Sequence, residues 1–211
     1  MPKIIPTILA TTYTQFEEQF KKVSPFFDLI QIDVMDGKFV SNQSFAEIDN
    51  INNVNLNAKF ELHLMVEHPI EEIKKWKNIK NIVRIIFHIE SKDNPEEVIK
   101  TITDLGVEVG IAINPETNTS AIEPYINQIN EVLFLTVHPG KQGAEFLPEV
   151  GKKIRNFNKT NLKIAVDGGI NEINIEQVCD WGVDTFCIGS AIIMAEDTEK
   201  AKQNLLNQLS S

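Results

Sequence analysis

The sequence predicts a (β/α)8 barrel (TIM barrel), an α/β fold in which eight parallel strands close on themselves inside a ring of helices. Three observations support it. Eight short apolar, β-branched segments recur along the 211 residues, stretches with helical periodicity lie between them, and the apolar runs are continuous, as in strands covered on both faces. A typical barrel has about 250 residues, so this chain is compact for the fold. An open doubly wound sheet is the alternative.

The predicted strands are the apolar, β-branched segments, taken in order. They are KIIPTIL (3–9), DLIQIDV (28–34), KFELHLMV (59–66), IVRIIFHI (82–89), EVGIAI (108–113), EVLFLTV (131–137), LKIAVD (162–167) and TFCIGS (185–190). Because each is followed by a crossover, the sheet should be parallel with its helices outside. No linker, low-complexity tract or change of composition divides the chain, so we expect a single domain over residues 1–211.

The segments between the strands carry helix signals. In NPEEVIKTITDLG, Asn94 suits the N-cap, Pro95 the first helical position and Gly106 the end. Apolar residues recur at helical spacing in TQFEEQFKKV and PIEEIKKWKNI. Further helices are predicted at about 118–129, 147–157, 171–181 and 195–209, whereas 44–55 is a short helix or irregular.

Composition excludes several classes of function. The formal net charge of −10 and the pI of about 4.9 argue against binding to nucleic acid or to an anionic membrane. The N-terminal segment lacks the features of a signal peptide, and no apolar run is long enough to span a membrane. Cys179 and Cys187 are expected to be buried free thiols. We therefore expect a soluble cytoplasmic protein.

Polar residues occur where several predicted strands end, which is where a barrel of this kind carries its active site. Gln31 and Asp33 share one face of the second strand, His63 lies on the third and Asp167 ends the seventh. Two carboxylates and an imidazole in one pocket suit a divalent metal or proton transfer. The structural alternatives are turn or cap residues for the aspartates and a hydrogen-bonded core residue for His63.

Glycines cluster after strands six to eight, at Gly140, Gly143, Gly168, Gly169 and Gly189. Glycine lets the backbone approach a ligand closely and point its N–H groups at it. Phosphate sites in these barrels are commonly built in this region. Each glycine alone could be a turn, but their clustering predicts a phosphate-binding wall.

The motifs of this chain, in order, make it resemble the ribulose-phosphate 3-epimerase family. They are PTIL (6–9), DVMDGKFV (33–40), HLMV (63–66), FHIE (87–90), INPET (113–117), TVHPG (136–140), VDGGIN (166–171) and GSAI (189–192). The resemblance implies a ribulose-phosphate binding barrel that forms homo-oligomers. It also implies an isomerase of carbohydrate metabolism, in the pentose phosphate pathway, that interconverts D-ribulose 5-phosphate and D-xylulose 5-phosphate through a cis-enediolate.

The resemblance also implies roles for individual residues. Asp33 and Asp167 would be the acid–base pair, and with His63 and one more histidine they would hold a divalent metal ion such as Zn, Fe, Mn or Co. The substrate would be a small sugar phosphate. Its proposed contacts are Thr7, which stands where the family usually has a serine, with His63, Met35, Met65, Gly140, Gly143, Gly168, Gly169, Gly189 and Ser190.

Two departures from the family pattern bear on this interpretation. Gln31 stands where the family usually has a metal-binding histidine; its carbonyl oxygen is a candidate ligand, but a poorer one for zinc. The sixth-strand loop reads PGKQGA where PGFGGQ is usual, so Lys141, Gln142 and Ala144 differ. These changes leave open an epimerase of a ketohexose phosphate such as allulose 6-phosphate, or a non-catalytic sugar-phosphate-binding protein.

Other polar residues near the strand ends are expected to be structural. Asp36 should organise the loop after the second strand, and His68 should begin a helix. His138 is interpreted as a loop residue. His88 and Glu90 are interpreted as structural neighbours of the site rather than as catalytic groups.

Overall fold

Eight parallel strands form a closed barrel in chain order, with the last strand paired to the first. The computed structural model describes residues 2–45, 47–53, 58–140, 143–157 and 162–209. The strands are β1 (Lys3–Ile8), β2 (Leu29–Met35), β3 (Lys59–Met65), β4 (Ile82–His88), β5 (Glu108–Ile113), β6 (Glu131–Leu135), β7 (Lys163–Asp167) and β8 (Thr185–Ile188). The predicted barrel is confirmed, and the open doubly wound sheet is wrong.

The described residues form seven α-helices, all in the segments that follow strands. They are α1 (Tyr13–Val23), α2 (Pro69–Trp76), α3 (Pro95–Asp104), α4 (Val150–Asn156), α5 (Ile175–Cys179), α6 (Ser190–Ile193) and α7 (Thr198–Gln208). The signals read for α3 are present: the Asn94 side chain accepts a hydrogen bond from the Glu96 N–H at 2.9 Å. Gly106 follows the helix with a φ of +74°, the left-handed conformation that ends helices.

Two segments differ from the prediction, and a third, 44–55, agrees with it. In place of a helix at 118–129 there are two short 3-10 turns, Thr119–Ala121 and Glu123–Tyr125, because Pro124, inside the second turn, cannot donate the backbone hydrogen bond that a continuous helix needs. Segment 44–55 contains the 3-10 helix Ile48–Asn53, while residues 46, 54 and 55 lie outside the described residues. The eighth strand ends at Ile188, and the unpredicted α6 begins at Ser190.

The hydrophobic core lies mainly between the barrel and its helices. Phe16 of α1, Phe60 of β3 and Trp76 of α2 are among its largest buried side chains. A smaller apolar cluster is formed by Ile86, Ala112, Leu133, Leu135, Ala165 and Cys187, which lie on five different strands. Within the described residues, no helix is long and apolar enough to cross a membrane.

A buried ion cluster occupies the N-terminal ends of β3 to β6, and we call Arg84, Glu61, Glu108 and Glu131 the floor cluster. Arg84 donates to Glu61 at 2.8 Å, to Glu131 at 2.9 Å and to Glu108 at 2.6 Å. The side chains of Glu61 and Glu131 are fully buried. Burial, together with the charge of Glu61 and against the opposing charge of Arg84, raises the pKa of Glu131 to about 8. The inner surface of the barrel is therefore polar at this end.

Candidate active site

Asp33, His63 and Asp167 meet at the C-terminal end of the barrel. Asp33 and His63 are register partners on β2 and β3, and Asp167 is the last residue of β7. His63 Nδ1 lies 3.0 Å from Asp33 Oδ1 and 3.4 Å from Asp167 Oδ2. All three residues are buried. The structure thus brings together the three groups that sequence reasoning placed on different strands.

Gln31 contacts both aspartates through its side-chain amide. Its Nε2 donates to Asp167 Oδ2 at 2.7 Å, to Asp33 Oδ1 at 3.2 Å and to Thr7 Oγ1 at 3.2 Å. Thr7 and Gln31 are register partners on β1 and β2. The Gln31 side chain is completely buried, yet its Oε1 has no hydrogen-bond partner among the described residues. A buried polar atom without a partner costs free energy, and it is the Nε2 rather than this oxygen that faces the two aspartates.

The electrostatics of the site follow from burial and from the closeness of the two carboxylates. Burial, and then the charge of Asp167, raises the pKa of Asp33 to about 6, although His63 and Gln31 act in the opposite direction. Burial alone would lower the pKa of His63, but its hydrogen bonds to Asp167 and Asp33 and their charges raise it to about 10. The site therefore pairs an imidazolium with two carboxyl groups, one of which titrates near neutral pH.

A second histidine, His88, contacts His63 on the side away from the two aspartates. His88, the last residue of β4, places its Nε2 2.9 Å from His63 Nε2. Its Nδ1 lies 3.1 Å from Glu90 Oε2, and the Phe39 ring packs on it with centroids 4.7 Å apart. Burial lowers the pKa of His88 to about 4, despite the opposing hydrogen bond to Glu90. His88 is thus a neutral imidazole held between a histidine and a carboxylate.

An open cavity lies at the mouth of the barrel beside these groups. Eleven residues proposed from the sequence line it: Thr7, Asp33, His63, Met65, Gly140, Gly143, Asp167, Gly168, Gly169, Gly189 and Ser190. Gln31 and Met35 are not among its lining residues; Met35 is buried in a small apolar cluster with Val40 and Met65. The roles proposed for these residues stay predictions, but their convergence on one cavity is observed.

Sequence reasoning missed most of the apolar part of the cavity wall, although it had named Ala144 as a difference in the sixth-strand loop. Leu9, Leu135, Val137, Pro139, Ala144 and Ile170 also line it. Leu135 and Val137 could have been predicted to line it, because they are two residues apart at the end of a strand and so share a face. Apolar side chains around a few converging polar groups are typical of small-molecule sites. Lys141 and Gln142 lie outside the described residues.

The loop after β7 depends on its glycines. Gly168 has a φ of +111°, and a Cβ built on it would lie 2.4 Å from a Val137 methyl group. The Thr136 hydroxyl fixes the same segment by donating to the Gly168 carbonyl at 2.6 Å or to that of Asp167 at 3.0 Å. Sequence reasoning did not identify Thr136. Together these contacts fix the C-terminal end of β7, where Asp167 lines the cavity.

The polar residues expected to be structural form contacts consistent with that interpretation. Asp36 accepts backbone hydrogen bonds from Lys38, Phe39 and Glu67, each at 2.8 Å, and so ties the loop after β2 to the loop after β3. Burial would raise the pKa of Asp36, but these N–H groups lower it. His68 precedes α2 and contacts Asp93 at 2.8 Å. The exposed His138 pairs with Glu116 at 2.9 Å.

The donor set at the site fits a divalent metal ion. Ligand atoms of Asp33, His63 and Asp167 all lie within 4.8 Å of one another and are buried. Gln31 presents Nε2 to both aspartates, so its unpartnered Oε1 would join this set only after the amide turns over. Carboxylate and amide oxygens with one imidazole suit first-row divalent ions. These residues can therefore hold such an ion, although nothing in the geometry distinguishes one metal from another.

Fold and site together define a parallel (β/α)8 barrel with an acidic, glycine-walled pocket at its C-terminal mouth. The model of the ribulose-phosphate 3-epimerase family matches residues 3–193, and the chain belongs to that family. A ribulose-phosphate 3-epimerase of Mycobacterium bovis is 32% identical over 98% of this chain and 93% of its own. One of Buchnera aphidicola is 34% identical over 88% of this chain and 86% of its own.

Solved structures support the fold independently. KGPDC from Streptococcus mutans, in a complex with a sugar phosphate, superposes with a TM-score of 0.77, covering 99% of this chain and 97% of that one. The two are 12% identical in sequence, so the likeness shows the fold alone.

Proposed function

We propose that this protein is a ribulose-phosphate 3-epimerase, an isomerase that interconverts D-ribulose 5-phosphate and D-xylulose 5-phosphate. The observation that carries the proposal is the convergence of Asp33 and Asp167 on one cavity, linked through His63 and Gln31. Family membership and relatives of that name along nearly the whole chain support it. A protein that only bound a sugar phosphate would need neither carboxyl group.

The reaction inverts the carbon next to a ketone, which requires a proton to leave one face and another to arrive on the opposite face. In the proposed mechanism one aspartate, as carboxylate, removes the C3 proton and leaves a planar cis-enediolate. The other, as carboxylic acid, then donates its proton to C3 from the other side. The roles of Asp33 and Asp167 reverse with the direction of reaction. A pKa of about 6 keeps Asp33 close to the operating pH, where an acid–base group is most effective.

We propose that Asp33, His63 and Asp167 hold a divalent metal ion, Zn, Fe, Mn or Co, and that the Gln31 amide turns over to bring its Oε1 to the ion as a further ligand. A bound ion would supply positive charge next to the enediolate oxygens and so stabilise the charge that develops on them. Gln31 offers an oxygen where an imidazole would offer nitrogen, which favours a harder ion than zinc. Thr7, 3.2 Å from Gln31 Nε2, helps to orient that amide.

The phosphate end of the substrate is assigned to the glycine-lined side of the cavity. Gly143, Gly168, Gly169, Gly189 and Ser190 lie there on three consecutive late loops. Their backbone groups can approach an anion closely because most of them carry no Cβ. The sugar phosphate bound in the S. mutans structure supports a ligand of that kind for such a barrel.

Two further predictions concern the protein as a whole. We propose that residues 1–211 form one domain, since the strands of the single barrel run from residue 3 to residue 188. We also propose that it works as a homo-oligomer in the cytoplasm, as the family resemblance implies. Light scattering on the purified protein measures its mass in solution and so tests whether it is a homo-oligomer.

A substrate panel tests the proposed activity. Purified protein is supplied with Mn²⁺ and incubated separately with D-ribulose 5-phosphate and D-allulose 6-phosphate, and the products are identified by NMR. We expect epimerisation at C3, with the pentulose phosphate turned over faster. A preference for the ketohexose phosphate would reassign the substrate, and binding of both without turnover would identify a non-catalytic relative.

A further inference from the structure

Three side chains form an unbroken line that leads away from the proposed catalytic pair. His63 Nε2 lies 2.9 Å from His88 Nε2, and His88 Nδ1 lies 3.1 Å from Glu90 Oε2. The His63 and His88 side chains are fully buried, and that of Glu90 is about one-fifth exposed. The other Glu90 oxygen accepts the Asn114 backbone N–H at 2.8 Å, which anchors this end of the line to the chain after β5.

Hydrogen-bond chemistry determines where the protons of this line lie. A carboxylate only accepts, so the Nδ1 of His88 must carry the hydrogen that faces Glu90. The two facing Nε2 atoms need one hydrogen between them, because two N–H groups cannot point at each other at 2.9 Å. His63 Nδ1 faces two buried carboxyl groups, at 3.0 and 3.4 Å, whereas His88 faces the single, partly exposed Glu90, so the additional proton is better stabilised on His63 and His88 keeps a lone pair on Nε2. The hydrogen between the rings therefore belongs to His63 Nε2.

We propose that His88 and Glu90 are positioning residues that fix the orientation and tautomer of His63. With its Nε2 hydrogen bonded to His88, His63 turns Nδ1 toward Asp33 and Asp167, at 3.0 and 3.4 Å. There Nδ1 either donates to a carboxylate or, once deprotonated, offers its lone pair to a metal ion. The consequence for catalysis rests on the proposed function; the placement of the protons does not.

The packing around the line is consistent with this role. The Phe39 ring covers His88, with centroids 4.7 Å apart, and the two imidazoles stack with centroids 5.1 Å apart. Neither ring can rotate without losing these contacts. Partners of this kind, behind a metal-binding histidine, typically change metal affinity or activity by about 10- to 100-fold when removed.

A nearly isosteric substitution, Glu90→Gln, should reverse the direction of the hydrogen bonds that join Glu90, His88 and His63. The glutamine oxygen can keep the fixed Asn114 N–H, which leaves its NH₂ group facing His88 Nδ1. His88 would then carry its hydrogen on Nε2 and donate it to His63. The remaining hydrogen of a neutral His63 would occupy Nδ1, the atom needed as a ligand. Glu116→Gln is the matched control, because Glu116 also contacts a histidine, His138 at 2.9 Å, but on the exposed surface.

The test uses ¹⁵N-histidine NMR of metal-free protein, whose four histidines can be assigned by substituting His68 and His138, outside the line. We expect a neutral His88 with its proton on Nδ1 in the wild type and in Glu116→Gln, and on Nε2 in Glu90→Gln. A wild-type His88 that is doubly protonated, or protonated on Nε2, would overturn the proposal. That measurement does not depend on whether Glu90→Gln folds.

Metal affinity supplies the second readout. Titration of the apoprotein with Mn²⁺ against a chromophoric chelator should show about 10- to 100-fold weaker binding in Glu90→Gln and unchanged binding in Glu116→Gln. Unchanged binding in Glu90→Gln, despite reversed tautomers, would refute a positioning role toward a metal. If tautomers and affinities behave as expected but no sugar phosphate is epimerised, the proposed function fails and the positioning role stands.

Discussion

Replacing Arg84 by methionine should destabilise the barrel strongly without touching the proposed catalytic groups. Arg84 is the only cation within hydrogen-bonding distance of Glu61 and Glu131 in the described structure, and both carboxyl side chains are fully buried. Methionine fills much of the same volume but offers no charge. Glu131, with a pKa of about 8, is largely protonated at pH 7, so the substitution chiefly leaves the buried Glu61 without its counter-charge, which is the costly way to break a buried ion pair.

The size of the effect follows from the burial. Removing one partner of a buried pair typically costs about 3–5 kcal/mol. Glu108 is less affected, because its side chain is 43% exposed and water can replace Arg84. For a chain of this length each kcal/mol lowers Tm by about 2–4 °C, so Arg84→Met should lower Tm by about 6–20 °C.

Circular dichroism during heating at pH 7 measures this loss. The matched control is Arg155→Met on the exposed side of α4, which should change Tm by no more than a few degrees. Adding Glu61→Gln and Glu131→Gln to Arg84→Met should restore part of the stability, because no buried carboxyl group then lacks its counter-charge. A loss in Arg84→Met no larger than in Arg155→Met would refute the reasoning.

The other predictions concern single groups. The folded-state pKa of Glu131, about 8, lies above its ordinary value of 4.5, so its stabilising contribution is fully present below about pH 4.5 and is lost as pH rises toward 8. Chemical denaturation of wild type and Glu131→Gln across this range should show the wild type losing stability relative to the variant; parallel curves would contradict it. Gly168→Ala should raise KM for the sugar phosphate and lower stability by about 1–3 kcal/mol, because the new Cβ would lie 2.4 Å from a Val137 methyl group at a φ of +111°. Gly106→Ala, at a φ of +74° with nothing within 4 Å, is its control; equal losses of stability in the two variants, with KM unchanged, would show that the contact with Val137 does not matter.

Much of the fold was predictable because its strands are locally encoded. Continuous β-branched runs marked all eight strands, and Asn94, Pro95 and Gly106 marked α3. α6 was not predictable in this way, since the apolar run that includes Ser190 continues past β8 with no break in composition. The helix expected at 118–129 was wrong because Pro124 outweighs the helical spacing of its apolar neighbours.

The part of the candidate site that lies at the ends of strands was predictable. Asp33, His63 and Asp167 could be placed together because the C-terminal ends of parallel strands meet. The contact of His63 with His88 could not, because it depends on strand register and on side-chain rotamers. The floor cluster was missed although alternation along the strands places Glu61 on the same face as His63 and Arg84 on the same face as His88; which of these charges meet depends on register. Thr136 acts through its hydroxyl on a loop 32 residues away, which no local pattern reveals.

Asp33 and Asp167 should exchange protons with opposite faces of one carbon atom, and solvent labelling measures this exchange. Wild type, Asp33→Asn and Asp167→Asn are each incubated with D-ribulose 5-phosphate in D₂O, and deuterium and configuration at C3 are read by NMR. The account predicts deuterium at C3 with inversion in the wild type, and inversion reduced by at least about 100-fold in each variant. Inversion at a rate close to that of the wild type in either variant would contradict it.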